Sequence, residues 1–175
     1  IMTHVYKLLL LGLAILTTTV VGCTEDPANE KYRSEPPTLN GITAKSLSNN
    51  TETIHVGEKI VLTAQQKSTG RLLGLAKYSW TLDGTPIGSK RQVYFDEDSS
   101  NPSDTVTINT AGEYKLTFSG TYNAKGNVQA WSAKHGSSIT YSFEGDVNSR
   151  VVCSVHAGYT PGFDITASTK IKVLP

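Results

Sequence analysis

The chain has 175 residues, with 16 basic and 15 acidic side chains and a formal net charge of +1. A chain so evenly balanced lacks the electrostatic footprint of a nucleic-acid-binding protein, so we expect no nucleic-acid partner. Hydrophobic residues make up only 38%, and Thr, Ser and Gly are abundant. This composition favours an all-β protein, because strands are rich in Thr and turns are rich in Gly.

Residues 1–22 have the pattern of a secretory signal peptide. Lys7 precedes an apolar run over residues 8–16, and a threonine-rich stretch then leads to Val20-Val21-Gly22-Cys23. The apolar run is too short for a transmembrane helix, since a bilayer core of about 30 Å requires about 20 residues. A charged start, a short apolar centre and small residues at the end together indicate an exported protein.

The tetrad Val20-Val21-Gly22-Cys23 resembles the lipobox of bacterial lipoproteins. The resemblance implies that the chain is cut before Cys23 and that lipid on this cysteine anchors it to a membrane. Glu25 and Asp26 follow after Thr24 and resemble the signal that sends lipoproteins of Bacteroidota to the outer face of the outer membrane. The implied location is the outer membrane, facing the cell exterior; a periplasmic face, with the acidic pair as part of a solvated linker, stays open.

Residues 23–38 form a polar, charged and proline-bearing segment with no hydrophobic periodicity. Such a segment cannot bury enough apolar surface to fold by itself. We therefore predict a flexible linker that carries the lipidated N-terminus, with the folded domain spanning residues 39–175.

From residue 39 onward, short runs of alternating apolar residues are separated by turn residues, which indicates β-strands. These runs lie at residues 54–62, 78–82, 93–95, 106–108, 114–118, 139–143, 151–155, 165 and 171–173. Residues 70–76 are predicted to be a loop because they contain two glycines, and no stretch has a helical repeat of useful length. Many short strands with frequent turns predict a β-sandwich.

Two segments resemble the PKD-like, immunoglobulin-like domains of bacterial surface proteins: YSWTLDG at residues 78–84 and NTAGEYKLTF at residues 109–118. The resemblance implies an immunoglobulin-like sandwich over residues 39–175. Trp80 would lie between the two sheets, and Tyr114 would be a corner tyrosine bonded to backbone. The span exceeds that of a plain domain of this type, and the extra strands after Tyr122 leave the strand order there open.

Few residues suggest chemistry. Cys153 has no partner if Cys23 carries lipid, so we expect it to be a small buried hydrophobe in a strand. We expect no catalytic residues, no metal site and no cofactor, because His, Cys and acidic residues are scattered. The triplet Asp104-Thr105-Val106 resembles an acceptor for O-linked glycans, which would place a glycan on Thr105; a strand start capped by Asp104 is the alternative.

Aromatic residues outside the alternating runs suggest a ligand surface. Trp131 lies in a polar stretch, and Tyr122, Tyr159 and Tyr94 could join it if they share an edge of the sandwich. A flat aromatic face can stack on a sugar ring; alternatively, Trp131 covers one end of the sandwich. The sequence favours a non-enzymatic binding or scaffolding module with a glycan or surface-protein ligand. A structural or adhesion subunit that assembles through strand edges is the alternative, and an enzyme ranks third.

Overall fold

The computed structural model describes residues 32–95, 98–142 and 148–175. The predicted signal peptide, Cys23 and most of the predicted linker lie outside the described residues. Within them, the chain forms ten strands and one short helix. The strands are β1 (Thr38–Ser46), β2 (Ile54–His55), β3 (Lys59–Ser68), β4 (Leu73–Leu82), β5 (Thr85–Tyr94), β6 (Ser103–Thr107), β7 (Gly112–Ala124), β8 (Ser138–Ser142), β9 (Asn148–His156) and β10 (Thr160–Leu174), and the helix is α1 (Gln129–His135).

The strands form two sheets that pack as a sandwich. The smaller sheet has the order β1-β3-β6, and the larger has the order β5-β4-β7-β10-β9-β8. All pairs along these two orders are antiparallel, and β2 adds a short parallel pair with β10. The prediction of an all-β, sandwich-like fold is confirmed.

The core lies between the sheets and follows the alternation of apolar residues. Trp80 is 2% exposed and Tyr78, two residues before it, is 4% exposed. The ring of Trp80 packs against Phe118 of the neighbouring strand β7, with ring centroids 5.0 Å apart. Burying aromatic rings of this size contributes much of the hydrophobic stabilisation of a small domain. The predicted position of Trp80 between the sheets is confirmed.

The turn before β7 is held by a tyrosine, as the sequence predicted. Residues 108–111 connect β6 to β7, and Tyr114 lies near the start of β7. Its hydroxyl donates a hydrogen bond of 2.9 Å to the carbonyl oxygen of Thr110. This bond joins the turn to the strand that follows it, and the backbone carbonyl gains a partner.

We expect Tyr114→Phe to lower the free energy of unfolding by about 1 kcal/mol, the net value of one such hydrogen bond. Urea denaturation followed by circular dichroism would measure the change. Tyr159→Phe is the matched control, because the ring of Tyr159 is 92% exposed. Equal stabilities of the two variants would show that the Tyr114 bond contributes nothing.

Three sequence predictions differ from the structure. Residues 70–76 are not a loop throughout, because β4 begins at Leu73. Residues 165 and 171–173 do not lie in separate strands: β10 is continuous over 15 residues and pairs with both β7 and β9. Helix α1 was not predicted, because seven residues are too few to show a helical repeat. The strands after Tyr122 extend the larger sheet beyond β10 in the order β9-β8.

The folded domain begins before residue 39. Ser34 is fully buried, and its backbone N–H donates to the carbonyl of Asn127 at 2.9 Å. Its hydroxyl donates to the carbonyl of Leu72 at 2.7 Å and accepts from the N–H of Gly126 at 2.8 Å. The predicted linker therefore ends before residue 38, because backbone bonding fixes residues 33–37 that composition alone marks as a tether.

Candidate functional site

The aromatic residues proposed from the sequence as a ligand surface do not form one exposed edge. Trp131 lies in α1 and is 4% exposed, and Tyr122 is fully buried in β7. Tyr159 and Tyr94 are exposed, but Tyr159 lies at the turn between β9 and β10 and Tyr94 at the end of the edge strand β5. The indole of Trp131 packs edge-on against Phe163 of β10, with centroids 5.3 Å apart. Trp131 thus has the alternative role that the sequence allowed: it covers part of the core.

A small cavity of about 180 Å³ lies beside Trp131. It is lined in part by His135, Tyr141 and Arg33. His135 is held in place by its Nδ1, which hydrogen-bonds with the carbonyl oxygen of Trp131 at 3.1 Å. Ligand pockets are usually about 300–1,000 Å³, so this cavity is too small for more than one small chemical group.

The ring of Tyr122 packs in the core, and its hydroxyl group is buried where a ligand cannot contact it. The rings of Tyr122 and Tyr78 lie 5.8 Å apart. Desolvation by burial raises the pKa of Tyr78 to about 12 and raises the pKa of Tyr122 well above its ordinary value. The two phenolic groups influence each other, but no hydrogen bond of good geometry joins either hydroxyl to another described residue. Such a buried, unpartnered group lowers stability.

The solvent-facing side of the larger sheet offers a different surface, here called the outer face. It consists of the alternate side chains of β4, β7, β10, β9 and β8 that point away from the core. Many are small and carry hydroxyl groups: Ser79, Thr81, Thr117, Ser119, Thr121, Ser138, Thr140, Ser142, Ser154, Thr166 and Ser168. Rigid sheets position such side chains without a cost of ordering on binding.

The outer face carries more positive than negative charge. Its cationic side chains are Lys77, Lys115, Arg150, Lys170 and Lys172, and its carboxylates are Glu113 and Asp164. This excess of three positive charges stands against a net charge of +1 for the whole chain. The composition of the chain does not reveal this excess of positive charge on one face. Strand pairing brings these residues together from distant positions in the sequence.

A groove of about 450 Å³ lies at one end of the outer face, between β5, β4 and β7. The polar side chains that line it include Lys77, Lys90, Gln92, Ser119 and Thr121. Its volume falls within the usual range of ligand pockets. The groove therefore combines room for a ligand with side chains that can hydrogen-bond to it.

The groove borders an irregularity in β5. The register between β4 and β5 shifts between Tyr78 and Trp80, and Gly88 has a positive φ of 67°. A Cβ atom at Gly88 would overlap the carboxylate of Asp104 in the other sheet. The N–H of Ser89 donates to that carboxylate at 2.6 Å. Glycine is needed here because it permits both the positive φ and the close approach.

Asp104 and Thr105 have separate roles. The second carboxylate oxygen of Asp104 accepts a hydrogen bond of 2.8 Å from the N–H of Thr105. Asp104 therefore does cap the start of β6, in agreement with the alternative to a glycan acceptor. The side chain of Thr105 is exposed, and a glycan on Thr105 stays a prediction.

His156 forms a polar cluster on the outer face near the turn between β9 and β10. Its Nδ1 hydrogen-bonds with Asn123 Oδ1 at 2.6 Å, and its Nε2 with Asp164 Oδ1 at 3.0 Å and Ser154 Oγ at 2.8 Å. In a Ser-His-Asp relay the acid binds the ring nitrogen opposite the nucleophile, whereas here both share Nε2. The cluster ties together β7, β9 and β10.

Cys153 lies in β9 as a half-buried free thiol, and burial raises its pKa. Strand alternation puts it on the core side and His156 on the outer face, so the two cannot act as a pair. Val155, predicted to alternate into the core with Cys153, is 71% exposed. No group of three or more metal-ligating side chains occurs in residues 32–95, 98–142 and 148–175.

Two further findings concern membrane-spanning helices and similarity to known proteins. None of the helices in the described part of the chain is long and apolar enough to cross a membrane. No protein-family model, curated protein or solved structure matches the chain.

Proposed function

We propose that the protein is a lipid-anchored, non-enzymatic binding module of the outer membrane that faces the cell exterior and binds glycans with its outer face. The groove between β5, β4 and β7 is the observation that carries the proposal. It has the volume of a ligand pocket, and hydroxyl, amide, ammonium and guanidinium groups reach its lining beside a larger area of aliphatic and aromatic carbon. These groups can donate to, or accept from, the hydroxyl groups of a sugar.

In this site, polar side chains and not stacked aromatic rings would hold the sugar. Because Trp131 and Tyr122 are buried, they cannot offer a flat face to a sugar ring. Ser119 and Thr121 lie at alternate positions of β7, and Ser79 lies directly opposite Ser119 on β4. Each hydroxyl is both donor and acceptor, so neighbouring sugars can be held along the strand direction as well as across it.

A steric block of the groove tests this site. We expect Ser119→Tyr to weaken glycan binding at least about tenfold, since a bulky ring would fill the groove. Affinity gel electrophoresis and a glycan array, run on the full-length protein, would measure the loss. Thr43→Tyr on the smaller sheet is the matched control. Equal binding by both variants would remove the groove from the proposal.

The proposed anchor has its own test. Lipid on Cys23 predicts that mass spectrometry of the mature N-terminus finds acyl chains on this residue. Exposure at the cell exterior predicts that protease added to intact cells removes the domain. An unmodified Cys23 would overturn the anchor, and full protection from protease would overturn the exterior location while leaving the glycan site standing.

An assembly function through strand edges is the second candidate, and β8 is the feature that favours it. Exposed edges are usually protected by charge, proline or a bulge. The opposite edge β5 has Pro86, Lys90 and the register shift, whereas β8 has none of these. Its sequence S-I-T-Y-S suits antiparallel pairing with a second copy: serine would face serine, and isoleucine would face tyrosine.

Cysteine cross-linking tests whether two copies of the chain assemble through the β8 edge. Pairing about a two-fold axis at Thr140 would bring the two Thr140 side chains opposite each other, within reach of a disulfide. Thr140→Cys, in a chain with Cys23 and Cys153 replaced by serine, is then expected to form a covalent dimer under mild oxidation. Gln92→Cys on the β5 edge is the control. A monomer in both cases would remove this candidate.

A further inference from the structure

The charges around the groove allow the ligand class to be narrowed. Lys77, Lys90 and Arg150 form no ion pair with any residue in the described ranges. Asp164, the carboxylate in the same cross-strand row as Lys77, is bound by His156 Nε2 at 3.0 Å. The cations therefore face solvent without local neutralisation, an arrangement that attracts and orients anionic ligands.

We infer that the ligand is an anionic polysaccharide, one that carries carboxylate or sulfate groups, held by the hydroxyl-bearing residues of the outer face with Lys77, Lys90 and Arg150 contacting its charges. This inference rests on the proposed glycan-binding function and adds the charge of the glycan. Lys77 and Lys90 line the groove itself, and Arg150 lies on β9, directly opposite Thr166 of β10.

The spacing of the cations favours a polymer over a single sugar. Lys77 is on β4 and Arg150 is three strands away on β9, in the next row of outward side chains. Strand spacing and residue rise put their Cα atoms about 16 Å apart. One sugar acid cannot contact both positions, whereas a chain of several sugars across the hydroxyl-bearing rows can.

Other anionic surfaces fit the outer face less well. Single-stranded nucleic acids are bound by stacking successive bases on aromatic rings, whereas the hydroxyl-bearing rows of the outer face contain no Phe, Tyr or Trp; the exposed Tyr94 lies on the neighbouring edge strand β5. A membrane surface would need clustered apolar side chains to insert, whereas the outward aliphatic residues Leu75, Val152 and Leu174 lie on three different strands. The hydroxyl groups, by contrast, match a sugar.

Matched pairs of polysaccharides test the inference. The probes are polygalacturonate against its fully methyl-esterified form, and dextran sulfate against dextran, measured by affinity gel electrophoresis and titration calorimetry at low and moderate salt. We expect an acidic form to bind at least about tenfold more tightly than its neutral partner, and the affinity to fall as salt increases.

Charge reversal locates the contacts. Lys77→Glu with Lys90→Glu is expected to weaken binding of the acidic form at least about tenfold, since two attractive contacts become repulsive. Lys45→Glu with Lys59→Glu on the smaller sheet carries the same change in net charge and is expected to have little effect. Equal losses in both double variants would assign the effect to net charge and overturn the inference.

The outcomes separate the inference from the proposed function. If neutral and acidic forms bind equally and independently of salt, and Ser119→Tyr blocks both, the ligand charge is wrong but the glycan site stands. If no probe binds and the glycan array is also empty, both fail. If a single-stranded oligonucleotide binds as tightly as the acidic polysaccharide, the face recognises charge alone and the inference fails.

Discussion

Trp131→Ala is expected to lower the free energy of unfolding by about 3–5 kcal/mol, the usual cost of removing a large buried aromatic ring. Trp131 is 4% exposed and contacts Phe163 and His135 through its ring. Natural domains are stable by about 5–15 kcal/mol, so this variant would lose a large part of its stability. Urea denaturation followed by far-ultraviolet circular dichroism would measure the loss.

The control substitutions separate packing from ligand contact at this position. Trp131→Phe keeps an aromatic ring against Phe163 and is expected to retain more than half of the lost stability. Tyr159→Ala, at an exposed turn, is expected to change stability by less than about 0.5 kcal/mol. A Trp131→Ala protein as stable as the wild type that no longer binds glycan would restore the ligand role that the sequence suggested.

Alkaline pH is expected to destabilise the domain through Tyr78 and Tyr122. Burial raises the pKa of Tyr78 to about 12 and raises the pKa of Tyr122, whereas both ionise near pH 10 in the unfolded chain. Below about pH 10 both groups are protonated in both states, so stability does not depend on them. Between about pH 10 and 12 the unfolded state loses protons first, and stability falls as pH rises.

The expected loss from Tyr78 is at most about 3 kcal/mol at pH 12, because one pKa unit corresponds to about 1.4 kcal/mol. Tyr122→Phe should reduce the alkaline loss and leave stability at neutral pH equal or higher by up to about 1 kcal/mol, since its hydroxyl is buried without a bond. Tyr159→Phe should leave the profile unchanged. A wild-type profile that is flat from pH 7 to about 12 would contradict the prediction.

The neutral-pH result for Tyr122→Phe contrasts with that for Tyr114→Phe. Both substitutions remove one hydroxyl from β7, but only that of Tyr114 has a backbone acceptor, at 2.9 Å. A hydrogen bond contributes to stability only where the partner is present, and an unpartnered buried hydroxyl costs the free energy of desolvation. The pair therefore compares a hydrogen-bonded hydroxyl group with a buried, unbonded one in the same strand.

Some features of the fold could be predicted because they are local. Alternation of apolar residues located strands around Trp80, Phe118 and Val173, and the Ala111-Gly112 corner placed Tyr114 near the start of a strand. The same alternation, extended past Gly120, would also have placed Tyr122 in the core. The predicted run ended at residue 118, which left Tyr122 as a ligand candidate.

Other features had no local signal. Helix α1 is too short to show a repeat, and its one buried residue, Trp131, stands in a polar stretch. Residues 33–37 look like a linker because their partners, such as Asn127 and Leu72, are distant in sequence. Contacts of this kind depend on which distant segments the fold brings together, so they cannot be predicted from the local pattern of a single sequence.

The sequence by itself determined that the described chain is built of alternating strands, because side chains of a strand point to opposite faces with a period of two. It also determined that Trp80 of β4 and Leu116 and Phe118 of β7 face the core. Only the tertiary structure decided the candidate site. The order of strands in the larger sheet places Lys77, Ser119 and Arg150 on one surface, and pairing between distant segments is set by the packing of the whole core.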